Sequence, residues 1–193
     1  MFSVKLYKKC LHVICIPMSK NIDKVIFIGE SFDLFENVEC IPAIYTSKTD
    51  YKGYLQSHIQ AIKLAKERNY KNVLILEDNF QLVVSKEEVE KQLTDFFDAG
   101  IEYSVCMISY DMQSSKPTEY PFLTKIIESN GSSGYILHQN YYDELINLFE
   151  WSITKLYETG DHWNFAVDNC WKFLQPNGKW YCFTEPLGKV KGT

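Results

Sequence analysis

The sequence predicts an α/β fold: a single domain over residues 1–193 with a central, mainly parallel or mixed sheet flanked by helices. Strand-like runs alternate with helical patterns along the chain, and several of the runs are continuously apolar, which is typical of strands covered on both faces. No repeat, low-complexity tract or linker divides the 193 residues, a length that fits one domain with a sizeable core.

The predicted strands are short runs rich in aliphatic and aromatic residues. They cover 11–16, 24–29, 72–77, 103–109, 122–128, 133–138 and 180–184. The run at 11–16 follows several basic residues, but it is too short for a typical secretory signal. We therefore expect a buried first strand there.

Four helical patterns separate these strands. The first covers 52–67, where apolar residues recur three or four positions apart. Ser85 and Glu88 form a capping box at the start of the second. Asn140 and Asp161 have side chains suited to cap the third and fourth helices.

The composition argues against several classes of partner and location. The net charge of −5 and the pI near 5.4 argue against a nucleic-acid-binding surface. No apolar run approaches the roughly 18 residues of a membrane span. The six cysteines show no paired CxxC spacing, which predicts reduced thiols in a cytoplasmic protein. Arg68 is the only arginine among 20 basic residues, so phosphate recognition would depend on lysine, backbone N–H groups or a metal.

The stretch "NVLILEDNF" at 72–80 places Glu77, Asp78 and Asn79 directly after an apolar strand. In parallel sheets, ligands bind beyond the carboxyl ends of the strands. Clustered carboxylate and amide oxygens suit Mg²⁺ or Mn²⁺ bound together with a substrate diphosphate. The alternative is a strand that simply ends at solvent, where acidic residues are common.

Two other segments carry candidate binding residues. Ser57 and His58 fall near the start of the first helix, although His58 shares a side with apolar residues and equally suits a core position. The segment "GSSG" at 131–134 ends at Gly134, ahead of a strand. Small residues there let the backbone approach a ligand, but the same residues suit an ordinary turn.

Asp168 is a candidate general base. It lies among apolar and aromatic neighbours, and partial burial raises the pKa of a carboxyl group toward neutrality. Asp161 precedes it by seven residues, two helical turns, so both are expected on the same side of the fourth helix. A solvated helix face accounts for Asp161.

Taken in this order, Ser57-His58, "LILEDN", "GSSGYILH" and "AVDN" resemble the motifs of the family 25 glycosyltransferases. This family includes lipooligosaccharide galactosyltransferases and collagen galactosyltransferase domains. The resemblance covers about Gly53 to Leu187. Asn79 stands where the family has a second Asp, which keeps an oxygen ligand but loses a charge.

The resemblance implies a GT-A-like fold, a nucleotide-sugar donor, expected to be UDP-linked, and a Mn²⁺ or Mg²⁺ ion held by Asp78 and Asn79. It implies transfer with inversion to a hydroxyl of a glycan or glycoprotein, with Asp168 as the base. The residues it assigns to donor binding are Ser57, His58, Glu77, Asp78 and Gly134.

Other functions stay open. A catalytically inactive domain that keeps the transferase shape as a binding or scaffold module is favoured by Asn79 and by the scarcity of arginine. A hydrolase with Asp78 as nucleophile would need an Asp-x-Asp pattern after the strand, which is absent. A methyltransferase would need a glycine-rich loop after the first strand, which is also absent.

Overall fold

The computed structural model describes residues 21–29, 35 and 37–192. The strand predicted at 11–16 lies outside these ranges, as do Cys10 and Cys15. The remaining cysteines are free thiols: Cys40, Cys106, Cys170 and Cys182. None of the helices in the described ranges is both long enough and apolar enough to cross a membrane.

Strands and helices alternate along the described residues. In chain order they are β1 (Lys24–Ile28), β2 (Val38–Ile41), α1 (Tyr51–Glu67), β3 (Asn72–Glu77), β4 (Phe80–Leu82), α2 (Lys86–Asp98), β5 (Val105–Pro117), β6 (Leu123–His138), α3 (Tyr142–Thr159), α4 (His162–Phe165), α5 (Val167–Cys170), β7 (Trp180–Phe183) and β8 (Gly188–Val190). Two 3₁₀ turns, Gln139–Tyr141 and Lys172–Leu174, complete this set.

Six of the described strands form a mixed sheet in the order β2-β1-β3-β6-β5-β7. The β1–β2, β1–β3 and β5–β7 pairs are parallel, whereas β6 runs antiparallel to β3, β5 and β7. Strands β4 and β8 form a separate antiparallel pair. The predicted α/β class, with a central mixed sheet flanked by helices, is confirmed.

The central strand β3 is buried on both faces. Val73 and Ile75 pack in one core with apolar side chains of α1, α3 and α5. Leu74 and Leu76 point the other way, into a second core with side chains of α2. Because neighbouring side chains of a strand alternate between faces, this double burial explains the continuous apolar run in the sequence.

The predicted Ser85 cap is confirmed, whereas the predicted Asn140 cap is wrong, because Asn140 lies in a 3₁₀ turn and α3 begins after Tyr141 without a side-chain cap. Asp50 accepts a hydrogen bond from the Gly53 N–H at 3.0 Å, so α1 begins at Tyr51. The Ser85 hydroxyl accepts one from the Glu88 N–H at 3.2 Å, as the capping box predicts.

The fourth predicted helix is interrupted, and the expectation that Asp161 and Asp168 share a helical side is wrong. Ala166 has an extended backbone with φ −66° and ψ 155°, which ends α4 and lets α5 begin separately at Val167. Asp161 caps α4 and accepts a hydrogen bond from the Asn164 N–H at 3.2 Å. The break turns Asp168 toward the centre of the molecule.

The strands predicted separately at 122–128 and 133–138 are one strand, β6. Its pairing with β5 contains four register shifts, and at one of them residues 131–133 of β6 are passed over between the Ser109–Gly134 and Asp111–Asn130 pairs. Within β6, Gly134 is opposite Leu76 of β3, and a Cβ added to Gly134 would lie 2.9 Å from both Ile108 Cγ1 and Phe80 Cε2.

We expect Gly134→Ala to lower the free energy of unfolding by about 1–3 kcal/mol, because the added methyl group overpacks the contact with Phe80. Phe80→Leu removes ring atoms from that contact, so the double variant should be more stable than the sum of the single effects predicts. Urea unfolding of the four proteins measures the coupling. Strictly additive effects would show that Phe80 is not what requires a glycine at position 134.

Candidate functional site

The site is built around Glu77, the last residue of β3, whose side chain is 3% exposed. Its Oε1 atom accepts hydrogen bonds from His58 Nε2 at 3.0 Å and from the Ser132 hydroxyl at 2.6 Å. Its Oε2 atom accepts one from Asn79 Nδ2 at 3.1 Å. A buried carboxylate needs such donors, because removing it from water without them costs several kcal/mol.

These donors determine the charge of Glu77. Burial by itself raises its pKa, but the hydrogen bond and charge of His58 and the bonds from Ser132 and Asn79 outweigh burial and hold the pKa below the ordinary value. Glu77 is therefore an ionised carboxylate at neutral pH. It is a fixed negative charge and a poor candidate for a proton-transfer group.

His58 is completely buried and connects Glu77 to Tyr135. Its Nδ1 atom lies 2.8 Å from the Tyr135 hydroxyl, which is also buried. Burial, and after it the charge of Glu77, raises the pKa of Tyr135 well above its ordinary value, so the hydroxyl stays protonated. This chain of hydrogen bonds joins α1, β3 and β6.

Ser57 holds the segment before α1. Its hydroxyl donates to the Gly53 carbonyl at 2.9 Å and accepts from the Ile44 N–H at 2.9 Å. Ser57 and His58, both predicted to bind the donor, are fully buried behind the wall of the site and do not line a cavity. His58 contacts a residue that does, Glu77, whereas the partners of Ser57 line neither section.

A cleft opens at the carboxyl end of β3. It has an inner section with a volume of about 250 Å³ and an outer section with a volume of about 660 Å³. The inner section is lined by Lys48, Tyr51, Tyr54, Glu77, Asn79, Gly131, Ser132, Ser133, Ala166, Val167, Asp168 and Val190. The outer section is lined by Tyr45, Thr46, Ser47, Lys48, Tyr54, Asp78, Asn79, Val190 and Lys191. The two sections adjoin through their shared lining residues, and together they are large enough for a substrate.

Asp78 and Asn79, the predicted metal ligands, lie side by side in this cleft. The Asp78 side chain is exposed and lines the outer section. The Asn79 Nδ2 group donates to Glu77, whereas the Asn79 Oδ1 atom is buried and has no hydrogen-bond partner among the described residues. The unpaired Asn79 amide oxygen and the exposed Asp78 carboxylate are both hard oxygen ligands, the type that Mg²⁺ and Mn²⁺ prefer.

The fit of a divalent ion is limited to these two ligands. The described residues contain no group of three or more His, Cys, Asp or Glu side chains able to hold a metal. Mg²⁺ is commonly bound by one or two carboxylates together with substrate phosphates and water. Asp78 and Asn79 fit that mode of binding and do not form a closed metal site.

Tyrosines form one wall beside Asp78. The rings of Tyr45 and Tyr54 stack with centroids 3.9 Å apart and an interplanar angle of 10°. Burial, and then the adjacent Asp78 carboxylate, raises the pKa of Tyr45 well above its ordinary value. Tyr45 therefore stays a neutral hydroxyl at the edge of the cleft.

Asp168 lines the inner section opposite these groups, in the first turn of α5. Burial raises its pKa above the ordinary value of 3.8, and the negative charge of Glu77 raises it further. Its own backbone N–H and then the charge of Lys172 oppose this shift without cancelling it. The structure thus brings Asp168 together with Glu77 and Asn79 in one cavity, and its role as a general base stays a prediction.

Gly134 is not among the lining residues, since it packs against Phe80 and Ile108 within the sheet. The glycine of the "GSSG" segment that reaches the cleft is Gly131, whose φ of 103° is a left-handed conformation that favours glycine. Sequence reasoning also missed Lys48 and Lys191. Neither lies in a periodic or motif-like pattern, and tertiary folding alone brings them to the cleft.

No family model matches the chain, and no curated protein does. Solved structures similar to it include mannose-1-phosphate geranyltransferase from Thermus thermophilus, with 8% identity over 81% of this chain and 54% of that one and a TM-score of 0.44. Apo-UDP-glucose pyrophosphorylase has 6% identity over 81% of this chain and 57% of that one, with a TM-score of 0.47.

A glycosyltransferase involved in the glycosylation of the major capsid of PBCV-1 has 9% identity over 88% of this chain and 92% of that one, with a TM-score of 0.43. The chain spans little more than half the length of the first two proteins. These similarities are too low to carry a functional argument, which rests on the cleft itself. Membership of family 25 stays a prediction.

We expect His58→Ala to lower the free energy of unfolding by about 3–5 kcal/mol, because it leaves the buried Glu77 charge without its main partner. The same substitution in a Glu77→Gln background should cost clearly less, since no buried charge is then left unpaired. Urea unfolding of both pairs measures this difference. An equal cost in the two backgrounds would show that His58 stabilises the fold by packing alone.

Asp168→Asn should stabilise the protein at neutral pH. Because the folded-state pKa of Asp168 is raised, the folded state binds its proton more tightly, and stability is lost as pH rises through that pKa. The increase in the free energy of unfolding caused by Asp168→Asn should be full at about pH 7 and should shrink toward about pH 4. Urea midpoints across this range, with the exposed Asp98→Asn as control, test the sign. A gain that does not vary with pH would contradict the shifted pKa.

Proposed function

We propose that this chain is a glycosyltransferase that moves a sugar from a nucleotide-sugar donor, UDP-linked, to a hydroxyl of a glycan or glycoprotein. One observation carries the proposal. A carboxylate with a raised pKa, Asp168, shares a single cleft with the hard oxygen ligands at the end of β3. This arrangement suits a reaction in which Asp168 takes a proton from the acceptor while the oxygen ligands at the end of β3 bind the metal and diphosphate of the donor.

In this proposal Asp168 acts on the acceptor. Its carboxylate accepts the proton of the attacking hydroxyl, while the hydroxyl oxygen forms a bond to the anomeric carbon of the donor sugar. The bond from that carbon to the diphosphate oxygen breaks, and the nucleoside diphosphate leaves with the electron pair. Attack from the face opposite the diphosphate inverts the anomeric centre. A raised pKa makes Asp168 a stronger base than an ordinary aspartate.

The donor end of the cleft lies at Asp78 and Asn79. These residues would hold Mn²⁺ or Mg²⁺, which when bound neutralises charge that develops on the departing diphosphate. Glu77 is not a ligand in this proposal, because its oxygens already accept hydrogen bonds from protein donors. It acts on the donor indirectly, by orienting Asn79.

Two lysines supply the positive charge that arginine provides at many phosphate sites. Lys48 and Lys191 both line the outer section of the cleft, beside Asp78. The Lys191 N–H donates to the Asn79 carbonyl at 2.6 Å, which fastens the end of the chain to the site. Arg68 forms an ion pair with Glu39 at 3.6 Å and does not line the cleft. We propose that both lysines contact the diphosphate.

A second candidate is a binding or scaffold module without catalytic activity. It is favoured by the small number of metal ligands, since Asn79 supplies no charge and Glu77 is taken up by protein contacts. This candidate predicts that metal-dependent nucleotide binding is weak or absent, and that no donor sugar is turned over.

Calorimetric titration of UDP and GDP, each with and without Mn²⁺, tests the proposal. We expect metal-dependent UDP binding that Asp78→Ala reduces at least about tenfold, a loss of roughly 1.4 kcal/mol. Glu144→Ala, which removes an exposed carboxylate of α3, is the matched control and should bind as wild type does. Equal binding by Asp78→Ala and wild type would contradict the assignment of the metal site.

The same proteins distinguish the two candidates. Asp168→Asn should keep UDP binding but reduce release of sugar from a panel of UDP-sugars by roughly 10²–10⁴-fold, the contribution of a general base. Nucleotide binding without any turnover in wild type would favour the inactive module. Absence of nucleotide binding would contradict the transferase and favour the inactive module.

A further inference from the structure

Part of β6 beside the cleft has no strand partner along one edge. Strand β5 lies along the other edge. On the edge away from β5, β7 pairs with residues 123–125 and β3 pairs with residues 134–138. Between these two pairings, residues 126–133 have no further partner among the described strands. This interval includes residues 131–133, which line the inner section of the cleft.

A side-chain amide fills this interval in place of a strand. Gln175, which follows the second 3₁₀ turn, is fully buried, as is Ser129 of β6. The Gln175 Oε1 atom accepts a hydrogen bond from the Ser129 N–H at 2.8 Å, and its Nε2 group donates to the Ser129 carbonyl at 3.0 Å. A residue of a neighbouring strand would make the same two bonds. They supply the partners that the buried backbone groups of Ser129 need.

Lys125 binds the same turn from a second direction. Its Nζ atom donates to the Gln175 carbonyl at 2.9 Å and also to the Gly178 carbonyl. Lys125 belongs to β6, four residues before Ser129. Both the side chain and the backbone of Gln175 are therefore bound to one strand.

Gln175 lies at the end of the segment that carries Asp168. This segment consists of α5, Trp171 and the 3₁₀ turn that leads to Gln175. Trp171 is fully buried among aromatic rings. Apolar packing has little directional preference, whereas two hydrogen bonds to one residue fix both the position and the orientation of a segment.

The same strand also binds the opposite wall of the site. Ser132, three residues after Ser129, donates to Glu77 at 2.6 Å. Glu77 ends β3, and it accepts the hydrogen bond of Asn79. Strand β6 thus contacts the end of β3 through Ser132 and the segment of Asp168 through Ser129.

We infer that Gln175, held between Ser129 and Lys125, is a positioning residue that sets where the Asp168 carboxylate lies relative to the end of β3. The inference rests on the proposed function, in which Asp168 is the base. A general base acts only within hydrogen-bond reach of the proton it accepts. A displacement of about 1 Å can lower a rate roughly 10²-fold, so the placement of this segment matters for catalysis.

Kinetics of Gln175→Met test the inference, because methionine keeps the length of the side chain but removes both bonds to Ser129. We expect kcat for release of sugar from UDP-sugars to fall roughly ten- to hundredfold, with the KM of the donor within about twofold of wild type. UDP binding with Mn²⁺ should not change. Gln92→Met is the matched control, since Gln92 bonds to Glu88 on α2, and it should retain the wild-type kcat.

A second measurement needs no turnover. The effect of Asp168→Asn on urea unfolding is compared in the wild-type and Gln175→Met backgrounds between about pH 4 and about pH 7. Burial is the main cause of the raised pKa of Asp168, so a carboxylate that moves toward water has a pKa nearer its ordinary value. The pH-dependent part of the stabilisation by Asp168→Asn should therefore shrink by at least about half. Glu77 and Lys172, whose charges also act on this pKa, are present in both backgrounds.

The outcomes separate this inference from the proposed function. An equal pH-dependent stabilisation in the two backgrounds would overturn the positioning role of Gln175, whatever the turnover. A smaller stabilisation in Gln175→Met, without turnover in wild type, would support the placement of Asp168 by Gln175 and contradict the transferase.

Lys125→Met serves if Gln175→Met does not fold. It keeps both bonds from Gln175 to Ser129 and removes only the donor to the Gln175 and Gly178 carbonyls. We expect a smaller loss of kcat, about threefold, and a smaller change in the pH-dependent stabilisation by Asp168→Asn. Wild-type values of both quantities in Lys125→Met would then overturn the inference.

Discussion

The rest of the site depends on the hydrogen bonds that the buried carboxylate of Glu77 accepts. Its hydrogen-bond donors come from different elements: His58 from α1, Ser132 from β6 and Asn79 from the turn after β3. Each donor must stay aligned, because a buried charge that loses a partner costs several kcal/mol. A single acidic residue therefore fixes the relative positions of a helix and two strands at the edge of the cleft.

The geometry of the cleft follows from this contact. The bond from Asn79 Nδ2 to Glu77 fixes the orientation of the amide, and the Asn79 Oδ1 atom has no partner among the described residues. The position of Ser132 places Gly131 in the lining, where its left-handed backbone turns the chain. The negative charge of Glu77 also contributes to the raised pKa of Asp168. Two carboxylates in one cavity are thus driven to different pKa values by their surroundings, a pattern that often separates a fixed charge from a proton acceptor.

Much of the fold could be predicted because local patterns and tertiary burial agree. The apolar run of β3 is continuous since both faces are covered, and Ser85 caps α2 as its sequence motif indicates. The break at Ala166 had no such sign, because neither glycine nor proline marks it. The extended backbone there is compatible with alanine, and α5 beyond it buries Val167 and Cys170 in the core.

The site was partly predictable for the same reason. Asp78 and Asp168 stand out in the sequence because acidic residues beside apolar runs are conspicuous, and Asn79 because it follows Asp78; all three line the cleft. His58 was expected to face a ligand, but its burial depends on Glu77, Tyr135 and the packing of α1, which no local pattern reports. Lys48 and Lys191 reach the cleft through a loop and through the pairing of β4 with β8.

The most direct test of the proposed donor site is a crystal structure grown with UDP and Mn²⁺, with anomalous scattering used to locate the metal. We predict an anomalous peak beside Asp78 and Asn79, with the diphosphate near Lys48 and Lys191 and with Asp168 facing the position of the transferred sugar. A metal or nucleotide bound elsewhere on the molecule, with Asp78 and Asn79 making no contact to it, would contradict the assignment of the cleft.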